Sequence, residues 1–481
     1  MEPAKLELSR EEMRAFGYLV VDTLVEYFSG LRAEPAARKS SRQELESLLR
    51  EPVPEKGSDP GELVRRLSET VFRSMMHLDH PRDFAFVPSP SNFVSVMADA
   101  LASGYNAFVG SWFSGSGPAQ IELVTIDWLR QLCGLPETAG GLFVSGGSMA
   151  NLTALAAARH ARLKFDFSHA AVYCSDQTHS SIERALRVLG FAPAQLRKLP
   201  SDEGFRLPLA ALEREVAADR ALGRLPFCVI ANAGTTNTAA VDPLEELARF
   251  CAREKLWLHV DGAYGAAAVI CDEGRRALAG LELADSVSLD PHKWLFQPFE
   301  IGCVLLRDAS LLKNAFRIMP EYLRDVYRLP GEVNFCDYGI QLTRGFRALK
   351  LWLSLKVFGL GAFREAVARG LELARVAEAR LREAGCWEIV TPAQMGIVSF
   401  RYFEPGRSEE ELDAATERAA AGITASGFAA LTTTTLRGRT TLRLCTINPR
   451  TTEEDIRETV ARLAKYAREG GGERTGDGNP R

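Results

Sequence analysis

The stretch LFVSGGSMANLTALAAARHA, residues 142–161, decides how the chain is read. Leu142, Phe143 and Val144 make a short apolar run, Gly146 and Gly147 break it, and small and apolar residues then recur at helical spacing. A strand therefore passes through a tight turn straight into a helix. The same alternation continues in AVYCS (171–175) with SSIERALRVLG (180–190), FCVIAN (227–232) with PLEELARFCARE (243–254), LWLHVD (256–261) and DSVSL (285–289). Residues 91–355 are thus expected to form a large α/β domain on a mainly parallel sheet.

Working outward, residues 1–90 read as a helical arm. Met13, Phe16, Leu19, Val20, Leu24, Tyr27 and Phe28 fall at helical spacing, and a second such stretch runs over 60–76 beyond a polar, proline-bearing connector. An arm with so little apolar surface does not fold alone, so it is expected to pack on a second subunit. Residues 356–466 carry a long helical stretch (361–385) and the strand-like GIVSFRYF (396–403) and TTLRLCTI (440–447), a smaller α+β domain. The tail, 467–481, is expected to be disordered.

Composition narrows the function classes. The 46% hydrophobic and 25% charged residues are those of an ordinary globular chain, and a net charge of −4 offers no basic field for nucleic acid or anionic lipid. No run is long and apolar enough to span a bilayer and the N-terminus lacks a secretory pattern, so a cytoplasmic address is expected. Nine cysteines without a C-x-x-C pair read as reduced thiols. His77, Asp79 and His80 match no usual ligand spacing, so no metal is expected.

Five polar clusters follow the expected strands: Gly146-Gly147-Ser148, His179, Thr235-Thr236, Asp261 and His292-Lys293. In open parallel sheets ligands bind at that edge. Taken singly, the glycines make a turn, Ser148 caps a helix and Lys293 is a surface lysine. Lys293, however, sits between an apolar strand and Trp294-Leu295-Phe296. A lysine enclosed there loses its proton readily, and a neutral amine attacks an aldehyde. A pyridoxal cofactor also needs a carboxylate against its ring nitrogen, for which Asp261 is placed, and amides against its phosphate, which a strand-GGS-helix junction supplies. A nucleotide phosphate would suit that junction equally, but G-x-G-x-x-G and G-K-[ST] are absent there.

GGSMANL (146–152), SDQTHSSIERA (175–185), WLHVDGAYG (257–265) and DPHKW (290–294) together resemble the pyridoxal-dependent amino acid decarboxylases of the group that includes aromatic L-amino acid decarboxylase. The likeness extends from HPRDFAFVPS (80–89) through GFRALKLWL (345–353) to TTLRLC (440–445). It implies a type I aminotransferase-like fold, bound pyridoxal 5′-phosphate, an L-amino acid substrate and a homodimer with shared active sites. By the same resemblance Lys293 carries the cofactor as a Schiff base, Asp261 pairs with its ring nitrogen, and His179 stacks on the ring and reaches the substrate carboxylate. Ala263 packs on the opposite face. Gly147, Ser148 and His292 hold the phosphate, and Thr236 lies near the cofactor or the departing carboxylate. Asp290 stands where relatives carry Asn or Asp, and a direct contact with a phosphate would be repulsive. AFRIMPEYLRDV (315–326) resembles the family's mobile loop, with Tyr322 as the acid that protonates Cα.

FAFVPSPS (84–91) and NAFVGSW (106–112) suggest a side-chain pocket from Phe84, Phe86, Val87, Pro88, Ser89 and Phe108, the last from the other subunit. Such an apolar pocket with a hydroxyl suits a large apolar or aromatic side chain; the competing reading is plain core. Gly110 and Leu78 stand where relatives carry bulkier aromatics. Three other functions compete: an oxidative aldehyde synthase, an aminotransferase, and a non-enzymatic scaffold. Retention of Tyr322, His179, Asp261 and Lys293 favours the simple decarboxylase, which releases amine and carbon dioxide.

Overall fold

The structure, a computed structural model, describes residues 6–318 and 331–469. Its main sheet has seven strands: β1 (Gly140–Val144), β2 (Ala170–Ser175), β3 (Leu196–Leu199), β4 (Leu225–Asn232), β5 (Trp257–Asp261), β6 (Ser286–Leu289) and β7 (Gly302–Leu306). They lie in the order β1-β7-β6-β5-β4-β2-β3, and β7 alone is reversed, antiparallel to both β6 and β1. The expected α/β class with a mainly parallel sheet is the observed one. β2, β5, β6 and β7 are buried at every residue. Strands covered on both faces read as continuous apolar runs rather than as alternation. β3 is an edge strand carrying Arg197 and Lys198, so its short charged sequence gives little strand signal.

The smaller sheet is antiparallel: β8 (Trp387–Gln394), β9 (Ile397–Tyr402), β10 (Thr433–Leu436) and β11 (Arg439–Cys445), in the order β10-β11-β9-β8. Its core joins Phe400, Leu442 and Leu444 to Leu412 and Ile423 on helix Glu409–Ala425 and to Leu463 on helix Glu453–Arg468. Phe84, fully buried, reaches this core from the other end of the chain. Helix Ala348–Glu383 runs unbroken past residue 355, where the sequence suggests a boundary, and kinks at Gly359, whose φ is 74°.

In the arm, helix Arg10–Gly30 starts with a reciprocal Ser9–Glu12 capping box and buries no residue. Met13 and Tyr18 are 56% and 63% exposed. Ser41 and Glu44 cap a further short helix, Arg42–Leu49, within the polar connector. Helix Pro60–Arg66 widens into a looser turn at Leu67–Val71. Among the described residues no helix is long and apolar enough to cross a membrane.

Candidate active site

Helix Gly147–Leu163 follows β1 after only Ser145 and Gly146, and no side chain caps its first turn. Its leading amides, with the positive end of the helix dipole, therefore meet a cavity of about 450 Å³. The cavity is lined by Gly147, Ser148, His179, Thr236, Asp261, Ala263, His292 and Lys293. Every residue the sequence suggests for cofactor binding is thus brought to one place. The alternation of strand and helix is the cause: β1, β2, β4, β5 and β6 all end on the same side, and the polar clusters follow those ends.

Asp261 ends β5 and is 8% exposed. Three donors hold its carboxylate: Asn151 Nδ2 to Oδ2 at 3.0 Å, the Ser288 hydroxyl to Oδ1 at 3.1 Å and the Ala263 amide to Oδ1 at 3.2 Å. A buried carboxylate so held is fixed in direction. His179 stands at the cavity mouth as the N-cap of helix Ser180–Val188. Its Nδ1 accepts the Ser181 amide at 3.2 Å and lies 2.9 Å from Ser181 Oγ. Although His179 keeps an exposed surface, desolvation by the surrounding cavity wall holds its imidazole below the usual histidine pKa, against the opposing pull of Asp261. His292 is 7% exposed; its Nδ1 accepts the Ile301 amide at 3.3 Å, and burial lowers its pKa as well. Both imidazoles are therefore neutral near pH 7.

Lys293 differs from the apolar setting expected for it. Its Nζ lies 2.9 Å from Asp290 Oδ2, and its side chain keeps 25% of its surface. What locks it is the next residue: Trp294 is fully buried and stacks on Tyr264 with ring centroids 5.3 Å apart, while the Tyr264 hydroxyl donates to the Met395 carbonyl at the start of the small domain's turn. Asp290 is 2% exposed, and among the described residues its Oδ1 has no hydrogen-bond partner. Sequence reasoning did not single out Ser181, Asn151 or His259, and it weighed Asp290 only for its repulsion of a phosphate, not as the partner of Lys293. A signal for two of them exists: Asn151 stands four residues past Gly147 on one helix face, and His259 shares a strand face with Asp261.

The pocket-forming aromatics are placed otherwise. Phe84 belongs to the small-domain core, so it is packing and not pocket. Phe86, Pro88, Ser89 and Phe108 do not line the cavity within one chain. Phe86 is 55% exposed with φ 51°, Pro88 and Ser89 are buried, and Phe108 is half-buried. The Phe108 ring fills the space that a larger residue at Gly110 would occupy. Tyr322 lies outside the described residues.

The residues fit pyridoxal 5′-phosphate: an uncapped helix start, a glycine at 147 whose side a Cβ would fill, an amine on a fixed backbone and a triply held carboxylate share one cavity. The comparisons agree. The profile described as "Pyridoxal-dependent decarboxylase conserved domain" matches residues 43–403. The chain is 50% identical to an aromatic-L-amino-acid decarboxylase of Bacillus atrophaeus, over 96% of this chain and 97% of that one. It is 32% identical to a phenylacetaldehyde synthase of Petunia hybrida, over 82% and 80%. The crystal structure of Oryza sativa TDC with PLP and tryptamine superposes with a TM-score of 0.92 at 29% identity, over 97% of this chain and all of that one. Built around this cavity and matched along nearly its whole length, the chain belongs to the pyridoxal-dependent decarboxylase family.

Proposed function

We propose that this enzyme removes the α-carboxylate of an aromatic or large apolar L-amino acid, releasing the amine and carbon dioxide. The observation that carries the reading is the convergence of Lys293, Asp261 and His179 on one cavity, in a chain 50% identical to an aromatic-L-amino-acid decarboxylase. Pyridoxal phosphate, when bound, supplies an electron-withdrawing ring that takes up the pair left by the departing carboxylate.

The chain's own residues do the rest. Lys293 Nζ is the amine that retains the cofactor covalently, and Asp290 at 2.9 Å keeps it pointed into the cavity until then. Asp261, fixed by Asn151, Ser288 and Ala263, presents its charge to the ring nitrogen and keeps a proton there. Gly147, Ser148 and His292 would hold the phosphate, and Ala263, His179 and Thr236, in the same cavity wall, would hold the rest of the cofactor. His179 is neutral, so it orients the substrate carboxylate by a hydrogen bond without holding it as an ion pair, which suits a group that must leave. Tyr322 delivers the proton to Cα and so decides that an amine is formed.

We assign side-chain recognition to Phe86, Pro88, Ser89 and Phe108 across a homodimer. The bare apolar face of the arm supports the dimer, as do Tyr105 and Phe113, 84% and 74% exposed beside the Phe108 segment. The burial of eight of the nine cysteines suits thiols kept in the reducing cytoplasm. A phenylacetaldehyde synthase among the relatives keeps oxidative aldehyde formation as the second reading. An L-amino acid panel with cofactor-loaded enzyme, scored for carbon dioxide, amine and peroxide together, separates them. Amine equal to carbon dioxide supports the proposal; peroxide equal to carbon dioxide overturns it. In sedimentation, a fully active monomer would rule out shared sites.

A further inference from the structure

From behind Asp261 to the cavity wall runs a polar chain whose far members, Asn151, Ser181 and His179, line the cavity. Trp257 Nε1 donates to Ser286 Oγ at 2.8 Å, and Ser286 Oγ lies 2.8 Å from His259 Nδ1. His259 Nε2 is 2.9 Å from Asn151 Oδ1, and Asn151 Nδ2 is 3.0 Å from both Asp261 Oδ2 and Ser181 Oγ. Ser181 Oγ is 2.9 Å from His179 Nδ1. Ser286 and His259 are fully buried and Trp257 is 2% exposed, so water does not enter that end to swap partners, while Asn151 and Ser181, 1% and 4% exposed, close the chain off at the cavity wall.

The donors in this chain have one consistent order, set at Asp261. An ionised carboxylate accepts only, so Asn151 must turn its NH₂ to Asp261 and Ser181, and its carbonyl to His259. His259 must then donate from Nε2, which leaves Nδ1 to accept the Ser286 hydroxyl; that hydroxyl is free to donate because Ser286 Oγ already accepts from Trp257. Burial lowers the His259 pKa to about 4, so the ring is singly protonated at neutral pH and one tautomer is required. At the other end Ser181 Oγ accepts from Asn151, so its hydroxyl, like its amide, donates to His179 Nδ1. The proton of neutral His179 then resides on Nε2.

We infer that Trp257, Ser286, His259 and Asn151 are positioning residues: a hydrogen-bond chain of single polarity that aims Asp261 and, through Ser181, selects the Nε2–H tautomer of His179. This deepens the proposed reaction and rests on it for the roles of Asp261 and His179. It explains why a histidine lies buried behind the site and an asparagine is buried in its wall. Neither touches a reacting atom, yet each limits how the two groups that do are presented.

The test uses the full-length protein labelled with ¹⁵N-histidine, with and without pyridoxal phosphate. Its seven histidines are assigned by single His→Gln replacements in solid-state NMR. Nε2–H on both His259 and His179 is expected, and Nδ1–H on either overturns the inference. Ser286, which does not line the cavity, supplies the second arm. Ser286→Ala should weaken cofactor binding about five-fold, one hydrogen bond's net worth, and mix the His259 tautomers, while Ser286→Thr restores both. Parental tautomers and affinity within twofold in a folded Ser286→Ala protein would also overturn it. Correct tautomers in a protein that releases carbon dioxide from no amino acid would refute the reaction and leave the chain of donors standing.

Discussion

Replacing Gly147 by alanine asks whether the helix start is a phosphate cradle. A Cβ there would lie 2.8 Å from Ala263 Cβ and 2.8 Å from Asp290 Oδ2, well inside ordinary contact. Neither neighbour can retreat. Ala263 has no side chain to rotate and its amide is engaged by Asp261, while Asp290 is 2% exposed and paired with Lys293. The first turn of the helix must shift instead. Overpacking of this kind costs about 1–3 kcal/mol of stability. Misaiming one amide of a charge-assisted hydrogen bond costs about 1.5–3 kcal/mol more in cofactor affinity, roughly a 10- to 150-fold rise in Kd. Titration of cofactor-free protein with pyridoxal phosphate, followed by absorbance, reads the affinity; thermal melting without cofactor reads the strain. Gly361→Ala is the control, since nothing lies within 4 Å of its added methyl. A Gly147→Ala protein with Kd within twofold of the parent and the control's melting temperature would refute the cradle.

Lys293→Ala should abolish the borohydride-fixed adduct, and an adduct persisting in that variant would point to another lysine. Tyr322→Phe should suppress amine release by about 10²- to 10⁴-fold while carbon dioxide release continues; an unchanged amine yield removes Tyr322 from the reaction. His259 has a folded pKa near 4 against 6.5 for an ordinary histidine. The unfolded chain therefore binds the extra proton in that window. The stability from a neutral His259 is complete above pH 6.5 and lost as pH falls towards 4. Chemical denaturation at both pH values should show the parent losing up to about 3 kcal/mol more than His259→Gln, and equal losses would refute the assignment.

The parallel sheet and the gathering of the polar clusters at one cavity were legible because each cluster stands directly after an apolar run, and topology brings them together. The ion pair of Lys293 with Asp290 was not, since its apolar flanks concealed a partner three residues earlier. Phe84 misled for a different reason: an aromatic beside Phe86 looks like pocket, and only the long-range pairing of its segment shows that it fills the small-domain core. Asn151 and His259 gave the right periodicity, but buried polar residues on an apolar background carry no sequence mark that tells a structural partner from a site residue. Phe86 and Phe108 stand outside the cavity in one chain, and the pocket proposed for them across two subunits would not be written in one chain's own contacts.

The Phe84 segment also bears on how the protein is made. Arg82 hydrogen-bonds to the Phe428 carbonyl across 346 residues, and the Phe84 amide donates to Ala430 beside it. At about 5–20 residues per second, a ribosome needs roughly 20–70 s to bring the second partner out after the first. Throughout that interval the nascent chain carries an aromatic anchor with nowhere to dock. The small domain, emerging after the large one, can close only around a segment made before both, which makes the interval between the two the period in which a chaperone has most to protect.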